Sequence, residues 1–239
     1  MTAVILAAGI AARLRPLTDN IPKSLLEVGG TPLLQRNLES LQRNGIRRCV
    51  LVTGYLGRMI ESFVSTLHVT MKIEFIRNPI FDQTNNNYSL WLARPAVDGQ
   101  DIVLLDADIL FDQMILTRLL QSSHSDALVM RASNNLGAEE IKCILNEDGA
   151  VKLIGKHLDP QQSAGESLGI EKFSSATTSK LFDVLSRRYT INEFYEASFQ
   201  EVIDNNTKLF TVLSDGLPCM EIDTPSDLAA AEELSKTLQ

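Results

Sequence analysis

The sequence predicts an α/β fold, a mostly parallel sheet with helices on both faces. Three observations carry that prediction. Short β-rich apolar runs alternate with amphipathic helical patterns through the first half of the chain, the order that parallel strands and crossover helices produce. The runs AVIL and IVLL are apolar at every position, as strands covered on both faces are. With 44 % hydrophobic and 22 % charged residues, the 239-residue chain can fill the core of one large domain.

Each element has its own signal. AVIL, at 3–6, reads as a buried strand and not as a signal-peptide core, because no positive segment precedes it and Arg13 and Arg15 follow it. The next helix is expected to take Thr31 as its cap, Pro32 as its first residue and Gly45 just past its end. CVLVT at 49–53 is a strand, and 55–67 spaces its apolar residues as an amphipathic helix does. KIEFI at 72–76 is strand-like, and YSLWLA from 88 opens a helix whose Trp91 is expected in the core. DIVLLDAD at 101–108 is a buried strand ending in acid, Asp112 caps QMILTRLLQ, and ALVM at 127–130 closes the alternation.

After about residue 135 the pattern changes. IKCIL and AVKLIG flank a turn-rich stretch at 146–149 and read as a hairpin, and SLGIEKFS reads as a further strand. Helical stretches near 177–188 and 192–204, the strand KLFTVL and a terminal helix capped by Thr224-Pro225-Ser226-Asp227 complete the chain. No repeat, linker or charge block intervenes, so residues 1–239 are expected to form a single domain with a change of character near 135.

Composition excludes some functions. A net charge of -8 gives a nucleic-acid partner no electrostatic support. Cys49, Cys143 and Cys219 form neither a zinc pattern nor a disulfide framework, so a cytoplasmic location is expected. No other window approaches the roughly 18 apolar residues of a membrane span. Oligomeric state stays open.

Ligands of parallel α/β sheets sit at the carboxyl ends of the strands, and three features fall there. The loop after AVIL carries Gly9, Arg13, Arg15 and Lys23; turn amides and nearby cations can hold phosphate oxygens, although a plain strand-to-loop turn explains the same residues. Asp106-Ala107-Asp108 ends the strongest buried strand, and a carboxylate beside a nucleotide phosphate is the usual way of holding Mg²⁺; a capping or turn aspartate is the simpler alternative. Glu221-Ile222-Asp223 again sets two acids at a strand end; alone this is more often turn chemistry, and paired with Asp108 across the sheet it becomes a candidate second Mg²⁺ ligand.

Taken together these residues carry a resemblance. LAAG at 6–9, Arg13-Leu14-x-Pro16-Leu17-Thr18, Pro22-Lys23, VGGTPLL at 28–34, Gly54-Tyr55, Asn78-Pro79, NNNYSL at 85–90, Asp106-Ala-Asp108, Ile154-Gly155-Lys156 and EIDTP at 221–225 resemble the nucleotidyltransferases that activate phosphorylated metabolites with a nucleoside triphosphate. Within that superfamily the chain is most similar to bacterial choline-phosphate, aminoethylphosphonate and inositol-phosphate cytidylyltransferases. The resemblance implies a Rossmann-like, glycosyltransferase-A-like fold, with a nucleotide-binding core at 1–135 and an acceptor-binding, sheet-completing part at 136–239. It implies Mg²⁺-dependent transfer of CMP from CTP to a small phosphorylated or phosphono alcohol or amine, with release of pyrophosphate. A sugar- or inositol-1-phosphate nucleotidyltransferase using CTP, UTP or dTTP is the alternative, and a non-catalytic nucleotide-binding regulator is the alternative of another class.

It also implies roles. Arg13 and Lys23 would be catalytic, facing the phosphates, and Asp108 and Asp223 would hold the metal. Leu6, Ala8, Gly9, Asn86, Ser89 and Asp106 would bind the nucleotide, and Lys156, Tyr195 and Phe199 the acceptor. Relatives often carry a second glycine where this chain has Ala11. Alanine suits that position at negative φ and is costly in the left-handed region, so the loop is expected to close normally around phosphate. The aromatic cage that a quaternary ammonium requires is thin here. Glu139, Glu140 and Glu196 could instead meet a primary ammonium.

Overall fold

A computed structural model of the chain describes residues 1–188 and 192–238. Its first half runs β1 (Thr2–Ala7), β2 (Glu27–Val28), β3 (Thr31–Pro32), α1 (Leu33–Arg43), β4 (Arg48–Thr53), α2 (Gly57–Thr66), β5 (Lys72–Arg77), α3 (Asn86–Leu92), α4 (Arg94–Val97), β6 (Ile102–Asp106), β7 (Ile109–Phe111), α5 (Gln113–Gln121) and β8 (Ala127–Ala132). The second half adds β9 (Lys142–Leu145), β10 (Val151–Gly155), β11 (Gly165–Phe173), α6 (Ser175–Arg187), α7 (Glu196–Asp204), β12 (Phe210–Leu213), β13 (Cys219–Glu221) and α8 (Pro225–Ser235).

Strands β6, β1, β4 and β5 lie side by side and parallel. β11 joins β6 antiparallel along one edge, where its first residues also pair with β9, and pairs with β8 along the other edge, with β12 parallel to β8 and β10 antiparallel to β9. Only β10 and β11 therefore run against the common direction of this nine-stranded sheet. The sheet passes through residue 135 without a break, because β11 pairs with strands from both halves.

Alternation along β1 sorts the core into two layers. Ala3 and Ile5 pack under α1, α2 and α5 through Leu38, Ile60 and Leu116. Val4 and Leu6 pack on the other face under α3, α6 and α7 through Leu90, Phe182 and Phe199. A third cluster, Leu14, Leu26, Val28, Leu33, Leu110, Ile222 and Ala231, ties the N-terminal loop to β7 and α8. Cys49, Cys143 and Cys219 are free and buried. No helix among the described residues is long and apolar enough to cross a membrane.

Two local expectations change. Thr31 does not cap α1: it pairs with Val28 in β3, Pro32 stands at the cap, and the helix starts at Leu33. The strand pairing satisfies that backbone, so the Thr31 hydroxyl is not needed there. Trp91 is partly exposed and stacks on Tyr88 at 5.4 Å, because Leu90, one residue earlier, takes the inward face of α3. Other caps agree with the sequence: the Asp112 carboxylate accepts from the Met114 amide, and Thr224 and Asp227 form a reciprocal capping box.

Candidate active site

The strand ends of β1, β4 and β6 open onto one cleft. The chain leaves β1 at Ala7, and beside it Gly54 follows the end of β4, where a Cβ would come within 2.6 Å of the Ala8 carbonyl oxygen. Glycine at 54 lets the two strand ends close up, and the Tyr55 amide then donates to the Ala8 carbonyl at 3.1 Å. The Tyr55 hydroxyl lies 3.0 and 2.9 Å from the carbonyls of Thr18 and Asp19, and the Thr18 hydroxyl donates to the Ala11 carbonyl at 2.9 Å. The loop is held from behind. Its amides at Gly9, Ile10 and Ala11 find no backbone acceptor among the described residues, which leaves a row of N–H groups suited to an anion. A Cβ on Gly9 would meet nothing within 4 Å.

Ala11 corrects an expectation. Its φ is 53° and its ψ 49°, inside the left-handed region and not at negative φ. The Thr18 hydrogen bond and the packing of Ala11 against the Leu14 cluster hold it there.

β7 and β13 pair antiparallel with Glu221 opposite Ile109, and the Ile222 amide donates to the Asp108 carbonyl at 3.1 Å. That pairing sets Asp108, just before β7, beside Asp223, just after β13. The α8 capping box fixes the second of them, since the Asp223 and Thr224 amides both donate to the Asp227 carboxylate. Into this pair comes Lys23, whose ammonium lies 2.7 Å from Asp108 Oδ2 and 2.7 Å from Asp223 Oδ1. Arg13 reaches the other Asp223 oxygen at 2.6 Å. Burial works against the Lys23 charge, but Asp108 and Asp223 outweigh it and hold its pKa above the ordinary lysine value. Burial alone would raise Asp223; Lys23 and Arg13 bring it below the usual carboxylate range.

The sequence reading of metal ligands stopped at Asp108 and Asp223, and the structure adds Glu221. The three carboxylates each offer an oxygen within 4.8 Å of the others. Burial and the charges of Asp108 and Asp223 push Glu221 up to about 8. Asp108 Oδ1 is buried without a hydrogen-bond partner among the described residues. Hard oxygen donors, an orphaned carboxylate oxygen and mutual repulsion fit a divalent cation such as Mg²⁺. Glu221 was visible in EID at 221–223, where alternate residues of an extended chain share a face.

The remaining residues divide. Asp106 accepts from the Tyr195 hydroxyl at 2.7 Å; burial and the nearby Asp108 charge raise its pKa, and the tyrosine bond opposes them. The Asn86 side-chain oxygen accepts from the Tyr195 amide at 2.9 Å, joining α3 to the start of α7. Lys156 follows β10 at the cleft edge, 3.3 Å from Glu139 and 4.7 Å from the ring centre of Phe194. Glu139 also lies 3.9 Å from Arg13. The Leu6 carbonyl accepts from the Ala107 amide, so β1 is tied to the end of β6.

Two site expectations are corrected. Ser89 is 3 % exposed and accepts from the Asn78 side chain at 3.1 Å, so it braces the loop before α3 and does not face the cleft. Phe199 is 1 % exposed between Phe173 and Tyr195, one turn along α7 and inside the core, so it offers no face to an acceptor. Tyr195 is buried as well, and its hydroxyl is spent on Asp106. Sequence reasoning passed over Glu171, a fully buried carboxylate in the middle of β11. Its signal was an acid inside the strand SLGIEKF, an expensive place for a charge.

A loop of open amides, two cations and a carboxylate trio at the carboxyl ends of a parallel sheet define a nucleotidyltransferase. The chain belongs to the family of the MobA-like NTP transferase domain, whose model matches residues 3–167. It is 27 % identical to the choline-phosphate cytidylyltransferase of Streptococcus pneumoniae, over 99 % of both chains. It is 24 % identical to the 2-aminoethylphosphonate cytidylyltransferase of Lancefieldella rimae, over 95 % of this chain and 90 % of the other. The solved inositol-1-phosphate CTP transferase from T. maritima superimposes with a TM-score of 0.81 at 24 % identity, covering 100 % of this chain and 97 % of that one.

Proposed function

We propose that this chain is a Mg²⁺-dependent cytidylyltransferase that transfers CMP from CTP to a small phosphorylated or phosphono acceptor. The observation that carries the reading is the convergence of Lys23 on Asp108 and Asp223 beside the open amides of the β1 loop. The cytidylyltransferase names of the full-length relatives support CTP as the donor.

An acceptor phosphate or phosphonate oxygen attacks the α-phosphorus of CTP. A new P–O bond forms as the bond from the α-phosphorus to the bridging oxygen breaks, and its electron pair leaves with pyrophosphate. The acceptor is already an anion, so no general base is needed. Charge grows on the α-oxygens and on the leaving group, and fixed cations lower the barrier by meeting it there. Lys23 sits between the α-phosphate and the attacking group, Arg13 meets the β- and γ-phosphates, and Lys156 holds the acceptor phosphate. The Gly9 to Ala11 amides cradle the nucleotide, with Leu6 and Ala8 forming the floor and Asn86 bracing the wall. Asp108 and Asp223, with Glu221, would hold Mg²⁺, which supplies neutralisation of the triphosphate and a common template for donor and acceptor.

A pyrophosphate-release assay of CTP, UTP, dTTP and ATP against phosphorylated and phosphono acceptors tests the reading. Turnover with CTP and such an acceptor is expected. Turnover only with UTP or dTTP and a sugar phosphate overturns it, as does tight nucleotide binding with no turnover for any pair.

A further inference from the structure

We infer that the acceptor carries a terminal ammonium with N–H donors, held by Glu171 and Glu196 beside Asp106. This deepens the proposed function and rests on it.

Register assembles the site. Leu104 pairs with Glu171 and Leu105 with Ile170, so Glu171 and Asp106 stand diagonally on the same face of adjacent strands, within reach of each other. It is the face that α7 covers, since Leu104, Tyr195 and Phe199 share one core layer. The next step of the ladder brings Gly169 opposite Asp106, and a Cβ there would lie 2.9 Å from Asp106 Oδ2. The position beside Asp106 is therefore left without a side chain. α7 then delivers Glu196 at its first residue, directly after Tyr195, whose hydroxyl holds Asp106.

Among the described residues no cation hydrogen-bonds either acid, and Lys156 reaches Glu196 only through its charge. Glu171 is 0 % exposed; its Oε1 accepts weakly from Ser167 at 3.4 Å, and its Oε2 has no partner among the described residues. Glu196 is 6 % exposed, and its Oε2 has none either. Elsewhere on β11 the same problem is solved: Glu166 accepts from Arg131 at 2.6 Å. Lys172, adjacent to Glu171, is turned away and donates to the Ser122 carbonyl at 2.9 Å. Lys156 bonds Glu139 instead. Burial raises the pKa of both Glu171 and Glu196, and for Glu171 the charges of Asp106 and Glu196 add to it. Buried carboxylates left without a partner are costly, and a cation that donates hydrogen bonds removes the cost.

The chemistry selects the kind of ammonium. A trimethylammonium has no N–H and is held by open aromatic faces. Tyr195 and Phe199 are buried in the core layer, and Phe194 already carries the Lys156 ammonium over its ring. A primary ammonium can donate to both orphaned oxygens. Asp106, partly open to solvent, links this nest to the phosphate side of the cleft.

The test is calorimetric binding to the full chain with Mg²⁺ and a non-hydrolysable α,β-methylene CTP. The probes are phosphoethanolamine, 2-aminoethylphosphonate, phosphocholine and 2-hydroxyethyl phosphate. Both primary amines are expected to bind at least about tenfold tighter than the other two, the size of one or two charge-assisted hydrogen bonds. A difference between the two amines distinguishes a phosphate from a phosphonate acceptor. In Glu196→Gln and Glu171→Gln the preference should shrink to about threefold or less, with KM for the amine rising more than kcat falls. Should Glu171→Gln fail to fold, the wild-type comparison and Glu196→Gln still decide. Phosphocholine or the neutral glycol binding as tightly as the amines overturns the inference, and so does absence of binding by all four. Amine preference without pyrophosphate release leaves the inference standing and overturns the catalytic reading. Turnover of a neutral acceptor alone does the reverse.

Discussion

Lys23 donates to Asp108 at 2.7 Å across 85 positions of sequence, and the same ammonium bonds Asp223 at 2.7 Å. One lysine thus bridges two acids that would hold a metal, and Arg13 supplies the second positive charge. Lys23→Ala should lower pyrophosphate release by on the order of 10²–10³-fold, the range for losing a fixed charge at a developing anion. The same change leaves Asp108 without its cation and Asp223 with Arg13 alone, so Mn²⁺ measured by electron paramagnetic resonance without nucleotide should bind about tenfold tighter. Near-normal turnover sinks the catalytic role, and unchanged Mn²⁺ affinity sinks the electrostatic one.

Gly9 has negative or extended backbone geometry and open space where a Cβ would stand. Nothing in the protein requires glycine there, so the requirement belongs to a ligand approaching the backbone. Gly9→Ala should leave the melting temperature unchanged within about 2 °C, a shift smaller than that from 1 kcal/mol in a chain of this size. CTP affinity, by calorimetry, should fall at least about tenfold, as expected when a methyl group blocks backbone contact with a phosphate. Equal affinity would falsify the close approach.

Ala11 tests the loop in the other direction. At φ 53° an alanine is strained, but its methyl packs against the Leu14 cluster. Glycine relieves the strain and loses both the contact and chain stiffness, so Ala11→Gly should move stability by less than about 1 kcal/mol. Ala11→Val places a branched side chain at positive φ and should cost about 2 kcal/mol or more. Urea denaturation of the pair decides; equal stabilities mean that position 11 leaves the left-handed region in solution.

Glu196 makes stability depend on pH. Asp106 from β6, Glu171 from β11 and Lys156 after β10 surround it, and burial raises its pKa from 4.5 to about 7. A carboxyl raised in the folded state contributes stability that is fully present below about pH 4.5 and is lost as pH rises through 7. The shift corresponds to on the order of 3 kcal/mol. Glu196→Gln should therefore match the wild type near pH 5 and exceed it at pH 8 in denaturation of the ligand-free chain. Parallel curves over that range would contradict the burial of this charge.

Much of the cleft was legible because short-range rules govern it. Strand ends, the Asp112 cap, the Thr224 capping box and the N-terminal motif are local, and each occupies the place its residues imply. Thr31 was misplaced because strand pairing with Val28 outcompeted a side-chain cap. Ser89 and Phe199 were misplaced because a helix can turn such a residue toward the cleft or toward the core, and Asn78 and Phe173 settled the direction.

The sequence by itself determined the alternation that makes an α/β sheet, the chemistry at the strand ends and the pairing of Asp108 with Asp223 as candidates. Only the tertiary structure decided that Lys23 would stand between them, that Glu221 would join them and that Glu171 and Glu196 would be buried near each other with carboxylate oxygens unpartnered among the described residues. Those relationships depend on strand register and on what covers each face, and residues far apart in the chain meet only when the sheet has closed.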